Sequence, residues 1–339
     1  MLKQITELKR GKVSPFSVVF WITSKCNSRC QTCNIWNNNN NTEMDITTFE
    51  ECFKNNKILR DIKLISFSGG EPFLKEDIVE FAKIVYIYSK PMQVRFVTNG
   101  ILSDKIEKDI KSILEITELR INVKISIDGT KETHNKIRGI DCYDKAIDTL
   151  NRLKKINNKK LSLTIGFTAN KLNYKEIEDV FELARDNDVD FFYKPIMEAD
   201  KLSTDRNDLF FDEYIDFKIF DYLIEFHKKL KLMKKRTLQE KIISNLYLDY
   251  LEKYYLEHKR IIPCFACKAS FHVSENWDVI TCSKLNRVIG NIKETPLNIV
   301  LDGEKAKEFR NNNKGCYCLC TADIIPSLIV HKFPFYTKL

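Results

Sequence analysis

Three thiols in the stretch Cys26-Asn27-Ser28-Arg29-Cys30-Gln31-Thr32-Cys33 stand in a CxxxCxxC spacing directly behind the apolar run Phe16 to Ile22. A run of that kind reads as a buried strand, so the thiols fall on the loop at its C-terminal end. Three converging thiolates are an incomplete ligand set for a cluster that takes four. The iron without a protein ligand would keep an open coordination position, as catalytic metal sites do. The same spacing also serves a zinc site, a disulfide or three unrelated buried thiols. A second group, Cys264, Cys267, Cys282, Cys316, Cys318 and Cys320, closes the chain, and its CxxC at 264 and 267 suits zinc equally. Cys52 and Cys142 lie alone in helical patterns and read as small buried residues.

The 339 residues, 43% of them hydrophobic, leave room for one large domain and a smaller one. The net charge of +8, from 55 basic and 47 acidic residues, reads as solvated lysines. No basic stripe interleaves with aromatics, so no nucleic-acid partner is expected. Nothing has the layout of a signal peptide, and no apolar run approaches the ~20 residues of a membrane span. The expected setting is therefore cytoplasmic, where thiols stay reduced and clustered cysteines favour metal over disulfides.

The elements that must position these residues alternate. Residues 1–15 read as a polar lead-in. Strands are expected near Phe16–Thr23, Lys63–Phe67, Val94–Thr98, Val123–Ile127, Leu161–Phe167 and Val189–Tyr193. Helical patterns fall between them, at Thr47–Lys57, Asp77–Tyr88, after a capping Ser103, from Tyr143, and at Tyr174–Arg185. The five asparagines Asn37 to Asn41 read as a loop insertion. Such alternation predicts an α/β chain with a parallel sheet, whose ligands gather at strand C-terminal ends. Residues 200–262 read as a helical connector, and 263–339 as a cysteine-rich unit whose end, Ile324 to Leu339, is expected to be a strand-like tail or a lid. No amphipathic period gives that tail a membrane-surface role.

The first cysteine stretch, set after the first strand of such an array, resembles the cluster motif of the radical S-adenosylmethionine (SAM) superfamily. Gly69-Gly70-Glu71-Pro72 at the second strand end resembles its GGEP segment, and Thr98-Asn99-Gly100 its polar third strand end. Ser126-Ile127-Asp128-Gly129 with His134-Asn135 and Arg138-Gly139 resembles the signature of its peptide-modifying branches. The resemblance implies a partial (β/α)6 barrel over 16–199 and a [4Fe–4S] cluster held by Cys26, Cys30 and Cys33. It also implies SAM contacts from Gly69, Gly70, Glu71, Asn99, Ser126, Arg138 and Asn170. The aromatic residue that often precedes the third cysteine is Thr32 here, with Trp36 nearby as a substitute.

The later cysteines resemble an auxiliary-cluster domain of the SPASM or twitch type, except that its usual glycine five positions before the second cysteine is Trp277. Six cysteines are too few for two auxiliary clusters. The resemblance thus implies one further [4Fe–4S] cluster on Cys267, Cys282, Cys316 and Cys320, with Cys264 and Cys318 as substitutes. It implies reductive cleavage of SAM to a 5′-deoxyadenosyl radical that abstracts hydrogen from a peptide or small metabolite. The electron donor would be of the ferredoxin or flavodoxin type, and no catalytic side chain is singled out. The competing reading is a non-catalytic zinc or iron–sulfur electron-transfer protein with a degenerate SAM site.

Overall fold

The computed structural model describes residues 1–37, 41–202, 208–211, 216–232, 238–257, 260–312 and 319–332. The chain opens with helix α1 (Leu2–Lys9) and strand β1 (Ser17–Trp21), then α2 (Ile46–Asn55), α3 (Lys57–Asp61) and β2 (Leu64–Ser68). Next come α4 (Ile78–Tyr88), β3 (Gln93–Thr98), α5 (Ser103–Ile116), β4 (Ile121–Ser126), α6 (Lys131–Arg138) and α7 (Tyr143–Lys154). They are followed by β5 (Leu161–Ala169), α8 (Ile177–Asp186) and β6 (Asp190–Pro195). Two long helices follow, α9 (Phe217–Leu232) and α10 (Leu238–Glu257). The remainder is β7 (Ser270–Val273), β8 (Asp278–Ile280), β9 (Val288–Asn291), α11 (Leu297–Asp302), α12 (Glu304–Asn312) and α13 (Thr321–Lys332).

β1 to β6 pair in parallel, each with its successor, as the strand–helix alternation predicts. Their helix-facing side chains are apolar. Phe20, Phe67 and Phe96 stack across neighbouring strands at 6.1 and 5.3 Å, and Phe49 of α2 and Phe81 of α4 close over them. Fully burying each ring contributes about 1.5–3 kcal/mol. The alternate positions, Ser66, Arg95, Lys124 and Lys194 among them, face the concave side.

The C-terminal unit continues this sheet. β7 pairs in parallel with β1, and β8 and β9 follow it antiparallel, in the order β6-β5-β4-β3-β2-β1-β7-β8-β9. Behind that junction α1 and α13 share a small core of Ile5, Leu8, Phe16, Ala269, Ile329 and Val330.

Three expectations differ from the structure. In its described part the tail is a helix rather than a strand or lid: Thr321–Lys332 is helical, with Ile324, Leu328 and Val330 buried and Pro326 inside it, and residues 333–339 lie outside the described residues. Ser327 Oγ donates to Asp323 O within it, and the helix packs against α10, β7, β1 and α1. Ser103 does not cap α5; it is the helix's first residue and its hydroxyl donates to Lys145 O at 3.2 Å. The lead-in carries helix α1, which Gln4 ties down by donating to Pro15 O. Most of the asparagine tract, residues 38–40, lies outside the described residues. No helix among the described residues is long and apolar enough to cross a membrane.

Candidate iron–sulfur and SAM site

The cysteine loop leaves β1 and is held from two sides. On one side, Arg29 N donates to Arg138 O at 3.0 Å and Gln31 N to Ile137 O at 2.8 Å, so the loop rides on the C-terminal end of α6. Gly139 ends that helix at φ +68°, and a Cβ there would lie 2.3 Å from Arg29 O. On the other side, the turn after β2 presses against the chain after β1. Gly70 N donates to Thr23 O and Glu71 N to Lys25 O, both at 2.8 Å. A Cβ on Gly70 would lie 2.0 Å from Lys25 O, and one on Gly69 2.3 Å from Thr23 O. Only glycine permits this approach.

Cys30 is buried, and Cys26 and Cys33 are partly so. Desolvation pushes the Cys26 thiol up to about 11 and Cys33 up to about 12, and each thiolate would add to the cost of its neighbours. Thiols desolvated in this way, at Cys26 and Cys33, hold their protons unless a metal cation replaces them. Ser28 Oγ lies 3.1 Å from Cys30 Sγ, and Arg138 Nη1 donates to the same sulfur at 3.6 Å. Arg138 Nη2 meets Asp128 Oδ2 at 2.5 Å. Burial works against the guanidinium charge, but Asp128 and then Cys30 more than offset it and hold the group firmly protonated. Its Nε is buried without a partner.

Glu71 is buried and fully engaged. Oε1 accepts from Phe73 N at 3.1 Å and Thr98 Oγ1 at 2.8 Å, while Oε2 accepts from Asn99 N at 2.7 Å. Desolvation raises its carboxyl to about 7 against those hydrogen bonds. Its side chain therefore builds the turn and joins β2 to β3. Asn99 carries the link onward, donating from Nδ2 to Asn27 Oδ1 in the cysteine loop at 2.7 Å. Ser126 stands half-buried at the end of β4 with its hydroxyl uncommitted. Asn170 is spent on its own turn, donating to Thr168 O and accepting from Leu172 N. Trp36 donates from Nε1 to Cys30 O, with Arg29 5.3 Å from its ring centroid.

Sequence reading places Asn27, Thr98 and His134 within their motifs but gives none of them a role. His134 Nδ1 accepts from Asp128 N at 3.1 Å and so helps to aim Asp128 at Arg138. Asn27 was visible between the cysteines, but its partner is distant in sequence and set by the fold.

Behind β1 lies the second cysteine group. Cys267, Cys282 and Cys320 are buried and Cys264 partly so; Cys316 and Cys318 lie outside the described residues. Burial, then Asp323, pushes the Cys267 and Cys282 thiols up, and both also feel Cys264. His272 and Asp323, neither expected from sequence, join Cys320 in a buried group whose ligand-type atoms lie within 4.8 Å of one another. Trp21 Nε1 donates to His272 Nδ1 at 3.2 Å and Ser270 Oγ to Asp323 Oδ1 at 2.8 Å, tying this group to β1. Trp277 adopts φ +71°, the conformation a glycine would favour, and non-glycine strain there costs roughly 1–3 kcal/mol. A cavity of about 210 Å³ is lined by Trp21, Thr23, Gly69, Lys201 and Glu275.

The radical SAM superfamily model matches residues 22–184, and the iron–sulfur cluster-binding SPASM model matches residues 264–322. The GTP 3',8-cyclase of Aliarcobacter butzleri is 34% identical over 146 residues, 41% of this chain and 42% of that protein. The Fe-coproporphyrin III synthase of Methanosarcina barkeri is 28% identical over 180 residues, 51% of this chain and 42% of that protein. The chain thus spans less than half the length of these two relatives. In fold it is similar to SuiB of Streptococcus suis bound to S-adenosylmethionine, with a TM-score of 0.65 and 16% identity over 91% of this chain and 71% of that one. It is equally similar to anSMEcpe with bound AdoMet and Cp18Cys peptide, at TM-score 0.65 and 19% identity over 90% of this chain and 88% of that one. The family's cofactors are a [4Fe–4S] cluster and SAM, with auxiliary iron–sulfur chemistry in the SPASM unit. The donor set fits them: three thiols on one loop, an orphaned buried Arg138 Nε and a glycine cradle. With the cluster loop and both matched domains in place, the chain belongs to the radical SAM superfamily and carries an iron–sulfur cluster-binding SPASM domain.

Proposed function

We propose that this chain cleaves SAM reductively and modifies a peptide or a small metabolite. One observation carries the reading: the Cys26–Cys33 loop is hydrogen-bonded both to the end of α6 and, through Asn27 and Asn99, to Glu71. Loss of the chemistry would remove any reason for four strand ends to converge on three desolvated thiols.

Cys26, Cys30 and Cys33 would hold the cluster and leave one iron open to SAM. When bound, cluster and SAM supply a 5′-deoxyadenosyl radical that takes hydrogen from substrate. The chain's own residues bind and orient. The Gly69-Gly70 backbone brings main-chain groups close to the SAM amino group, with Glu71 fixing that turn. The hydroxyl of Ser126 and the Nε of Arg138 would remain to meet the SAM ribose and carboxylate respectively. Asn99 and Asn170 shape the neighbouring loops. The core assigned here is 16–199, followed by the connector to 262 and the auxiliary unit from 263, with a cluster on Cys267, Cys282, Cys320 and Cys316, or with Cys264 or Cys318 in place of one. Mutual influence among Cys264, Cys282 and Cys320 favours including Cys264. Clustered cysteines as metal ligands suit a reducing, cytoplasmic setting with a ferredoxin- or flavodoxin-type donor. Names of relatives such as GTP 3',8-cyclase and pre-heme d1 synthase support a small metabolite; the peptide-bound fold neighbours support a peptide.

The test is spectroscopic. After anaerobic reconstitution and reduction, SAM is expected to shift the electron paramagnetic resonance signal of one cluster. Cys26→Ala should remove that shift and keep the auxiliary signal; a signal indifferent to SAM overturns the reading.

A further inference from the structure

Arg95 on β3, Lys124 on β4 and Lys194 on β6 gather on the concave face of the sheet. Their neighbours Val94, Phe96, Val123, Ile125 and Tyr193 are buried on the opposite, helix-covered face. The stem of Lys124 crosses β5 where Gly166 makes room: a Cβ there would lie 2.2 Å from Lys124 Cε. Its ammonium then sits 4.4 Å from the centroid of the Phe192 ring. Desolvation, then the charges of Lys194 and Arg95, hold its pKa well below the ordinary lysine value, with Asp128 opposing. Neither Lys124 nor Lys194 has an ion-pair partner among the described residues. Arg95 donates to two neutral acceptors, Asn122 Oδ1 at 3.2 Å and Gln93 Oε1 at 3.4 Å, and Asp190 offers it opposite charge.

Collecting like charges in a partly desolvated hollow destabilises a fold unless something anionic completes them. The hollow adjoins the cluster loop, since the Lys194 charge reaches Cys33. We propose that Lys124 and Lys194, flanked by Arg95, bind an anionic oxygen group of the substrate, a carboxylate or a phosphate, on the concave face of the sheet. This deepens the SAM-dependent reading above and rests on it for the word substrate. The glycine opposite Lys124 belongs to the same device, because any side chain there displaces the lysine.

Calorimetric titration of the reconstituted full chain with pyrophosphate and, separately, with citrate tests the site. Saturable binding of either anion is expected, and which one binds tells phosphate from carboxylate. Lys124→Met and Lys194→Met should each weaken it at least tenfold, as should Gly166→Ala, which keeps the lysine but moves its stem. Lys111→Met, an exposed lysine on α5 paired with Glu107, should change nothing. Thermal melts confirm that each variant is folded. Absence of binding, or undiminished binding in the two lysine variants, overturns the proposal. So does a parallel loss of SAM affinity, which would assign the lysines to SAM itself. Anion binding in a chain that never cleaves SAM would retain the site and remove the enzymatic reading.

Discussion

Arg138 concentrates much of the site in one side chain. It reaches the Cys30 sulfur with one nitrogen, Asp128 with a second, and leaves the third uncommitted. Removing one partner of a buried ion pair costs about 3–5 kcal/mol because the other charge is left uncompensated. Arg138→Met should therefore destabilise the cluster-free chain by about 3 kcal/mol in urea unfolding at pH 7. Adding Asp128→Asn should restore part of that loss; equal destabilisation in the double variant would deny the pairing. Beneath them, desolvation lowers His134 to about 4, from an ordinary 6.5. The fold keeps this ring neutral while the unfolded chain protonates it below pH 6.5, so its contribution is present at neutral pH and is lost as pH falls toward 4. The stability difference between pH 7 and pH 4.5 should shrink by about 2 kcal/mol in His134→Gln. An unchanged difference would mean that His134 titrates normally. Residue types and spacing exposed the cysteines in the sequence, and the resemblance to the radical SAM motifs singled out Glu71 and Arg138. They could not show that Glu71 is saturated by protein donors, or that His272 and Asp323 converge on Cys320, because those contacts join segments far apart in the chain.

At the scale of elements, the site is where strand ends meet. β1 delivers the cysteines, β2 the glycine turn, β3 Thr98 and Asn99, and β4 Ser126 and Asp128. Strand–helix alternation was readable because helix-facing positions are apolar and loops are punctuated by glycine and asparagine. The tail was misjudged because its apolar residues and Pro326 hide the helical period; its burial against β1, β7 and α10 decides its form. The closest approach of elements is Gly70 against the backbone at Lys25. Gly70→Ala should force these loops apart, lowering both the melting temperature and the iron bound after reconstitution. Full iron content in that variant would show that the approach is dispensable for cluster binding.

For the whole molecule, one sheet carries both cysteine groups: β1 pairs with β2 on one side and β7 on the other. The sequence showed two separate cysteine clusters, but the shared sheet was invisible in it, since parallel pairing of β1 with a strand some 250 residues later leaves no local signal. From that shared strand Trp21 reaches His272, which pairs with Asp323 beside Cys320 of the second group. The central claim concerns the first of them: three thiolates hold a cluster whose remaining iron receives SAM. The most direct measurement incubates the anaerobically reconstituted chain with SAM and dithionite and quantifies 5′-deoxyadenosine. The account predicts its formation by the unsubstituted chain and its absence when Cys26, Cys30 and Cys33 are replaced together by Ala. Formation of 5′-deoxyadenosine by the triple variant, or none by the iron-loaded unsubstituted chain, would contradict it.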